Sequence, residues 1–136
     1  MTVDPFLYFD GNCREALEFY TRAFGLAMPA QITTYDQVPG MSVDDANRGR
    51  ILYTSLPIFG HNFMLADQPA GAPYVKGGNV ALTLGTPDHD LIRHLFAALS
   101  DGGEVTMELG QTFFSALYGM VTDRFGVNWQ FSATPI

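Results

Sequence analysis

The chain has 136 residues, enough to bury a core without a disulfide or a structural metal, and its seven Lys and Arg against 14 Asp and Glu give a formal charge of -7. That balance argues against a phosphate backbone or an anionic lipid surface as partner, so neither nucleic acid nor membrane is expected. The single Cys13 excludes an internal disulfide, no apolar run approaches the roughly 18 residues of a membrane span, and the start MTVDPF lacks the basic and apolar regions of a secretory leader, which together predict a cytoplasmic protein.

Residues 3–9 are rich in β-branched and aromatic side chains and predict a strand, closed by Asp10-Gly11-Asn12, a group that turns the chain and caps helices. From Cys13, the apolar Ala16, Leu17, Phe19, Tyr20, Ala23 and Phe24 recur at helical spacing and Gly25 follows as a stop, predicting an amphipathic helix. Extended segments follow at 31–35, 50–56 and 63–66, the last two joined as a hairpin whose connection, Pro57-Ile58-Phe59-Gly60-His61-Asn62, includes His61. Residues 36–49 hold Pro39, Gly40, Asp44, Asp45, Asn47 and Gly49 and read as a mobile loop or lid.

Residues 68–78, with two prolines and three glycines, read as a linker between a first module, 1–67, and a second, 79–136. The second round predicts a strand at 79–84, then a helix at 88–100 with Leu91, Ile92, Leu95, Phe96 and Leu99 on one face. Asp101-Gly102-Gly103 stops it, and strands follow at 104–109, 116–122 and 128–132. The order β-α-β-β-β, written twice, makes this an α+β chain of a single two-module domain.

Three stretches carry a family resemblance: FLYFDGNCREALEFYTRAFG at the start, LADQPAG in the middle, and DGGEVTMELGQTFFSALYGMVTDRFGVNWQF at the end. They resemble the PhnB-like branch of the vicinal oxygen chelate superfamily, also called the glyoxalase/bleomycin-resistance fold. The resemblance implies two βαβββ modules whose strands curl into an open cup, a site in its concavity, and two chains paired as a homodimer. Some relatives carry a 3-demethylubiquinone methyltransferase label. That chemistry needs a glycine-rich strand-to-helix turn, whereas Gly77-Gly78 and Gly102-Gly103 both precede predicted strands.

Metal-dependent members of the superfamily place His or Glu at four strand positions, which alignment by the helix motif and the tail puts at Pro5, Tyr53, Asn79 and Gln130. Proline has no side-chain donor, and neutral phenol and amide groups are poor ligands for a divalent ion, so no metal and no cofactor is expected. His89 and His94 stand five apart, about 140° round a helix, too far for one ion.

With strand alternation, Tyr8, Tyr53, Met64, Phe113, Phe114, Met120, Trp129 and Gln130 line or rim the cup. Aromatic faces and adaptable Met side chains suit a flat, weakly polar small molecule, with the Tyr53 hydroxyl, the Trp129 N–H and the Gln130 amide to orient it. The ordinary alternative for each aromatic is a core or dimer contact. Glu108 and Asp67 are the acid–base candidates, against an exposed edge residue and a turn cap respectively. Asp123 reads as a turn-shaping residue, and Cys13 as a partly buried residue at a helix start. The leading expectation is a metal-free binding or sequestering protein. The alternatives are a metal-dependent lyase, isomerase or dioxygenase-like enzyme, and a dimeric structural module without a ligand.

Overall fold

The computed structural model describes residues 1–40 and 43–133. Within the chain two compact units form, Met1–Tyr74 and Val75–Ile136. Among the described residues no helix is long and apolar enough to cross a membrane.

The first unit runs β1 (Phe6–Phe9), α1 (Cys13–Phe24), β2 (Ile32–Thr34), β3 (Ile51–Ile58) and β4 (His61–Asp67). Its sheet has the order β1-β4-β3-β2, with β1 parallel to β4 and the other pairs antiparallel. A parallel neighbour needs a long crossover, and α1 with the strands that follow supplies it. The helix exists because Ala16, Leu17, Tyr20 and Ala23 line one buried stripe, and it stops where Gly25 adopts φ 66 and donates its N–H back to the Arg22 carbonyl. That stripe covers one face of the sheet, where Phe9, Ile51, Leu56, Ile58 and Leu65 are buried.

Several boundaries differ from the sequence expectation. The first strand starts at Phe6, because Pro5 ahead of it lacks the N–H that a ladder uses. The hairpin is tighter than its six-residue connection suggested. Pro57 pairs with Asn62 and Ile58 with His61, leaving only Phe59 and Gly60, at φ 49 and 82, as a two-residue turn of the left-handed kind that matches strand twist. His61 therefore lies on β4, exposed, and not in the turn. Residues 36–49 open with a short 3-10 turn, Tyr35–Gln37, closed by a reciprocal Thr34–Gln37 capping box. Farther on, Asp44 Oδ1 accepts from the Asn47 N–H, and Asn47 Oδ1 accepts from the Ala70 N–H at 2.8 Å. Residues 41 and 42 of this expected lid lie outside the described residues.

The second unit runs β5 (Leu82–Gly85), α2 (His89–Ser100), β6 (Glu104–Gly110), β7 (Tyr118–Thr122) and β8 (Asn128–Ser132), with sheet order β5-β8-β7-β6 and β5 parallel to β8. The chain is thus α+β, with two open four-stranded mixed sheets and βαβββ order in each unit. Asp88 caps α2 by accepting the Leu91 N–H at 3.1 Å, and Ile92, Leu95, Phe96 and Leu99 face Val121 and Phe131 across a buried core. The strand expected from Asn79 begins only at Leu82. The Asn128 amide holds the preceding coil by donating to the Val80 carbonyl at 3.2 Å.

Candidate functional site

On β1 the two-residue period sends Phe9 into the core and leaves Phe6 and Tyr8 on the other face, 37% and 51% exposed. Their rings stack at 4.6 Å, nearly parallel at 9°. Met64 lies opposite Phe6 in the parallel register and Ala66 opposite Tyr8. From β3, Tyr53 turns a 43% exposed ring toward Phe6, with centroids 6.2 Å apart. This half of the molecule therefore carries a small aromatic surface on the sheet face that α1 leaves open.

Beside it lies a concavity of about 500 Å³. It is lined by Phe6, Tyr8, Leu52 and Ala66 from the strands, by Pro69, Ala72 and Pro73 from the segment that leaves β4, and by Tyr35, Asp67 and Gln68. That segment is held as a strap. The Gln68 N–H donates to the Phe9 carbonyl at 2.8 Å, the Ala72 N–H turns back to the Pro69 carbonyl, and the Tyr74 hydroxyl donates to the Tyr8 carbonyl at 3.0 Å. The volume falls in the range of small-molecule pockets, which are mostly apolar with a few placed polar groups.

Asp67 is 3% exposed and makes a different use of its charge than the acid–base role weighed for it. Its Oδ1 accepts the N–H groups of Gly11 and Cys13 at 2.8 and 3.0 Å, and its Oδ2 accepts that of Ile51 at 2.9 Å. Both oxygens are thus engaged in tying β4 to the start of α1 and to β3. The Tyr35 hydroxyl donates to the Asp67 carbonyl at 2.9 Å, and burial, followed by the Asp67 charge, pushes this phenol above its ordinary range. Cys13 is fully buried, and that burial, reinforced by Asp67, pushes its thiol far up, the opposite of what a nucleophile needs. Glu108 is exposed on β6, an edge strand of the second sheet.

In the second unit Gln130 pairs with Thr83 on one side and Met120 on the other, and Met120 pairs in turn with Met107. Met120 and Gln130 border a concavity of about 340 Å³ with neutral polar groups from Asn79, Thr106 and Asn128. Trp129 corrects the expectation for the indole N–H. The ring is 1% exposed and its N–H donates to Asp123 Oδ2 at 3.0 Å, so this group is already committed within the core. Asp123 Oδ1 accepts from the Phe125 and Val127 N–H groups, the turn-shaping role read for it. Phe113 and Phe114 sit in the turn between β6 and β7, packed edge to face at 5.1 Å, with Phe113 wholly exposed.

Of the eight expected lining residues, the fold thus gathers Tyr8, Tyr53 and Met64 on one face of the first unit, and Met120 and Gln130 on the second sheet. Phe6, Tyr35, Gln68 and the strap prolines are additional to that set. Phe6 was accessible to sequence reasoning, since it stands two residues from Tyr8 on one strand. The strap residues carried no such signal.

Of the four positions that the resemblance matches to metal ligands, Pro5 and Tyr53 lie in the first unit and Asn79 and Gln130 in the second, with Pro5 and Asn79 ahead of β1 and β5. A proline, a phenol and two amides do not fit a divalent cation. Among the described residues, no three His, Cys, Asp or Glu side chains come together as a ligand set.

Residues 2–131 match the family model of the Glyoxalase/Bleomycin resistance protein/Dioxygenase superfamily. The chain is similar to protein YjdN of Escherichia coli, 28% identical, covering 95% of this chain and 92% of that one. Among solved structures it is similar to protein PA1353 of Pseudomonas aeruginosa, 32% identical with a TM-score of 0.86 over 97% of this chain and 96% of that one. It is also similar to the PhnB protein of Bacillus cereus, to which a 3-demethylubiquinone-9 3-methyltransferase activity is provisionally ascribed, with 27% identity and a TM-score of 0.79 over 97% and 98% of the two chains.

Proposed function

This chain belongs to the Glyoxalase/Bleomycin resistance protein/Dioxygenase superfamily, and from that membership we propose that it is a small-molecule-binding protein, holding a flat apolar or aromatic ligand on the open face of its first sheet without a divalent ion. The observation that carries the reading is the Phe6–Tyr8–Tyr53 ring cluster, exposed beside a concavity of about 500 Å³. Exposed aromatic surface of this kind is costly to leave in water and gains from covering by another flat ring, through area burial and stacking. The polar groups nearby favour holding over reacting. Both oxygens of Asp67 already accept backbone N–H groups, three in all, and the buried Cys13 stays a thiol.

The methyltransferase ascribed to the Bacillus cereus relative is not part of this reading. The two strand-to-helix turns here, Asp10-Gly11-Asn12 and Thr86-Pro87-Asp88, contain one glycine between them, and a cofactor cradle needs close backbone approach at several. Pairing of two chains is part of it, because the outer strands β1, β2, β5 and β6 each have one strand neighbour in the described chain, and such edges are commonly covered by association. Sedimentation velocity should then give a species of twice 14.9 kDa, and a lone 14.9 kDa species at every concentration contradicts the pairing.

Native mass spectrometry of protein purified without chelator tests the proposal as a whole. A metal-free mass, alone or with a retained organic molecule, is the expected result. A stoichiometric divalent ion that survives mild chelation would instead point to a metal-dependent enzyme.

A further inference from the structure

Three of the polar groups that border the first-unit concavity are already committed. Asp67 accepts three backbone N–H groups, the Tyr35 hydroxyl donates to the Asp67 carbonyl, and the Gln68 carbonyl accepts from Arg50 Nη1 at 2.9 Å. The Gln68 side chain differs. Gln68 is among the residues that line the concavity, and its Oε1 is closed off from solvent with no hydrogen-bond partner among the described residues. An amide oxygen withdrawn from water without a donor carries an uncompensated desolvation penalty, and native folds seldom retain one without a use for it. The backbone of Gln68 is fixed at both its N–H and its carbonyl, so a change of partner at this residue falls to the side-chain amide.

Resting on the reading of this face as a ligand site, we propose that Gln68 is its specificity-determining residue, and that the site selects flat aromatic molecules bearing an O–H or N–H donor over analogues in which that donor is alkylated. On binding, the side-chain amide would rotate to bring Oε1 out of its buried position to the donor, while the rings of Phe6 and Tyr8 meet the aromatic plane. A donor that pairs with Oε1 relieves a desolvation penalty the fold already carries and an alkylated analogue does not, a larger difference than a small change in apolar size makes. The second-unit concavity is bordered by several neutral polar groups, and none of them is a buried unpaired atom among the described residues.

The test compares 2-naphthol with 2-methoxynaphthalene, which keeps the ring and the oxygen but loses the donor, by fluorescence titration of wild type, Gln68→Met and Gln68→Glu at pH 7. The expected result is roughly tenfold tighter binding of 2-naphthol by wild type, lost to within about twofold in Gln68→Met and kept in Gln68→Glu, which retains an acceptor. Equal affinity of wild type for the two probes overturns the inference while leaving the ring face as a ligand site; so does a preference that survives in Gln68→Met. Should Gln68→Met fail to fold, the wild-type comparison and Gln68→Glu still decide. Failure of wild type to bind either probe overturns the ligand reading itself, and this inference with it.

Discussion

Asp67 Oδ1 accepts the backbone N–H of Cys13 at 3.0 Å across 54 residues of chain, so the first helix is capped by a residue from the last strand of its unit. The local cap position, Asn12, makes no side-chain hydrogen bond to the helix. A carboxylate beside the first turn also complements the positive end of the helix dipole. One side chain thereby joins α1, β3 and β4, which explains why an acidic residue is retained at 3% exposure in an acidic protein.

Replacing Asp67 by Ala leaves three backbone donors without an acceptor, those of Gly11, Cys13 and Ile51. Urea denaturation should report a loss of about 3 kcal/mol or more, a large share of a small domain's stability. A loss under about 0.5 kcal/mol, the size of an ordinary surface substitution, would contradict the assignment.

Cys13 gives the stability a pH dependence. Its folded thiol titrates well above the ordinary 9.0, because it is buried and Asp67 stands near. Above about pH 9 the unfolded chain releases the thiol proton and the folded chain does not, so stability present at lower pH declines as pH rises. The urea midpoint should fall between pH 8 and pH 10, and the fall should be shallower in Cys13→Ala. The same burial makes the native thiol slow toward iodoacetamide, with rapid reaction only after unfolding. Parallel slopes in the two proteins would contradict this account.

Trp129 belongs to the second unit's core and not to the proposed ligand face. Trp129→Phe should leave the affinity for 2-naphthol unchanged within about twofold, yet cost about 1–3 kcal/mol in urea denaturation, since Asp123 Oδ2 loses its buried indole donor. A large loss of affinity at unchanged stability would return Trp129 to the site.

Much of the fold was legible because its signals are local. Both helices follow from apolar spacing, and α1 runs from Cys13 to Phe24 as the pattern and Gly25 indicate. Strand β8 likewise keeps the bounds 128–132. Local reasoning failed where pairing decided. Pro57 reads as a turn residue, yet it is tolerated in β3 opposite Asn62, and it shortens the hairpin turn to Phe59-Gly60. The site was less legible for the same reason. Tyr8 and Tyr53 stand out as aromatics on predicted strands, but the concavity beside them is also lined by Pro69, Ala72 and Pro73, a stretch whose composition reads only as linker. Asp67 and Trp129 have the residue types of a site, and only their partners, Cys13, Ile51 and Asp123, show that they hold the fold together.

The central claim is that the open face of the first sheet binds a flat ligand through Phe6 and Tyr8. Its most direct test is fluorescence titration of 2-naphthol into wild type and into the Phe6→Ala/Tyr8→Ala double variant, with urea denaturation confirming that the variant is folded. Loss of two stacking rings should weaken binding by roughly tenfold or more. Unchanged affinity in a folded double variant, or no saturable binding by wild type, would contradict the account.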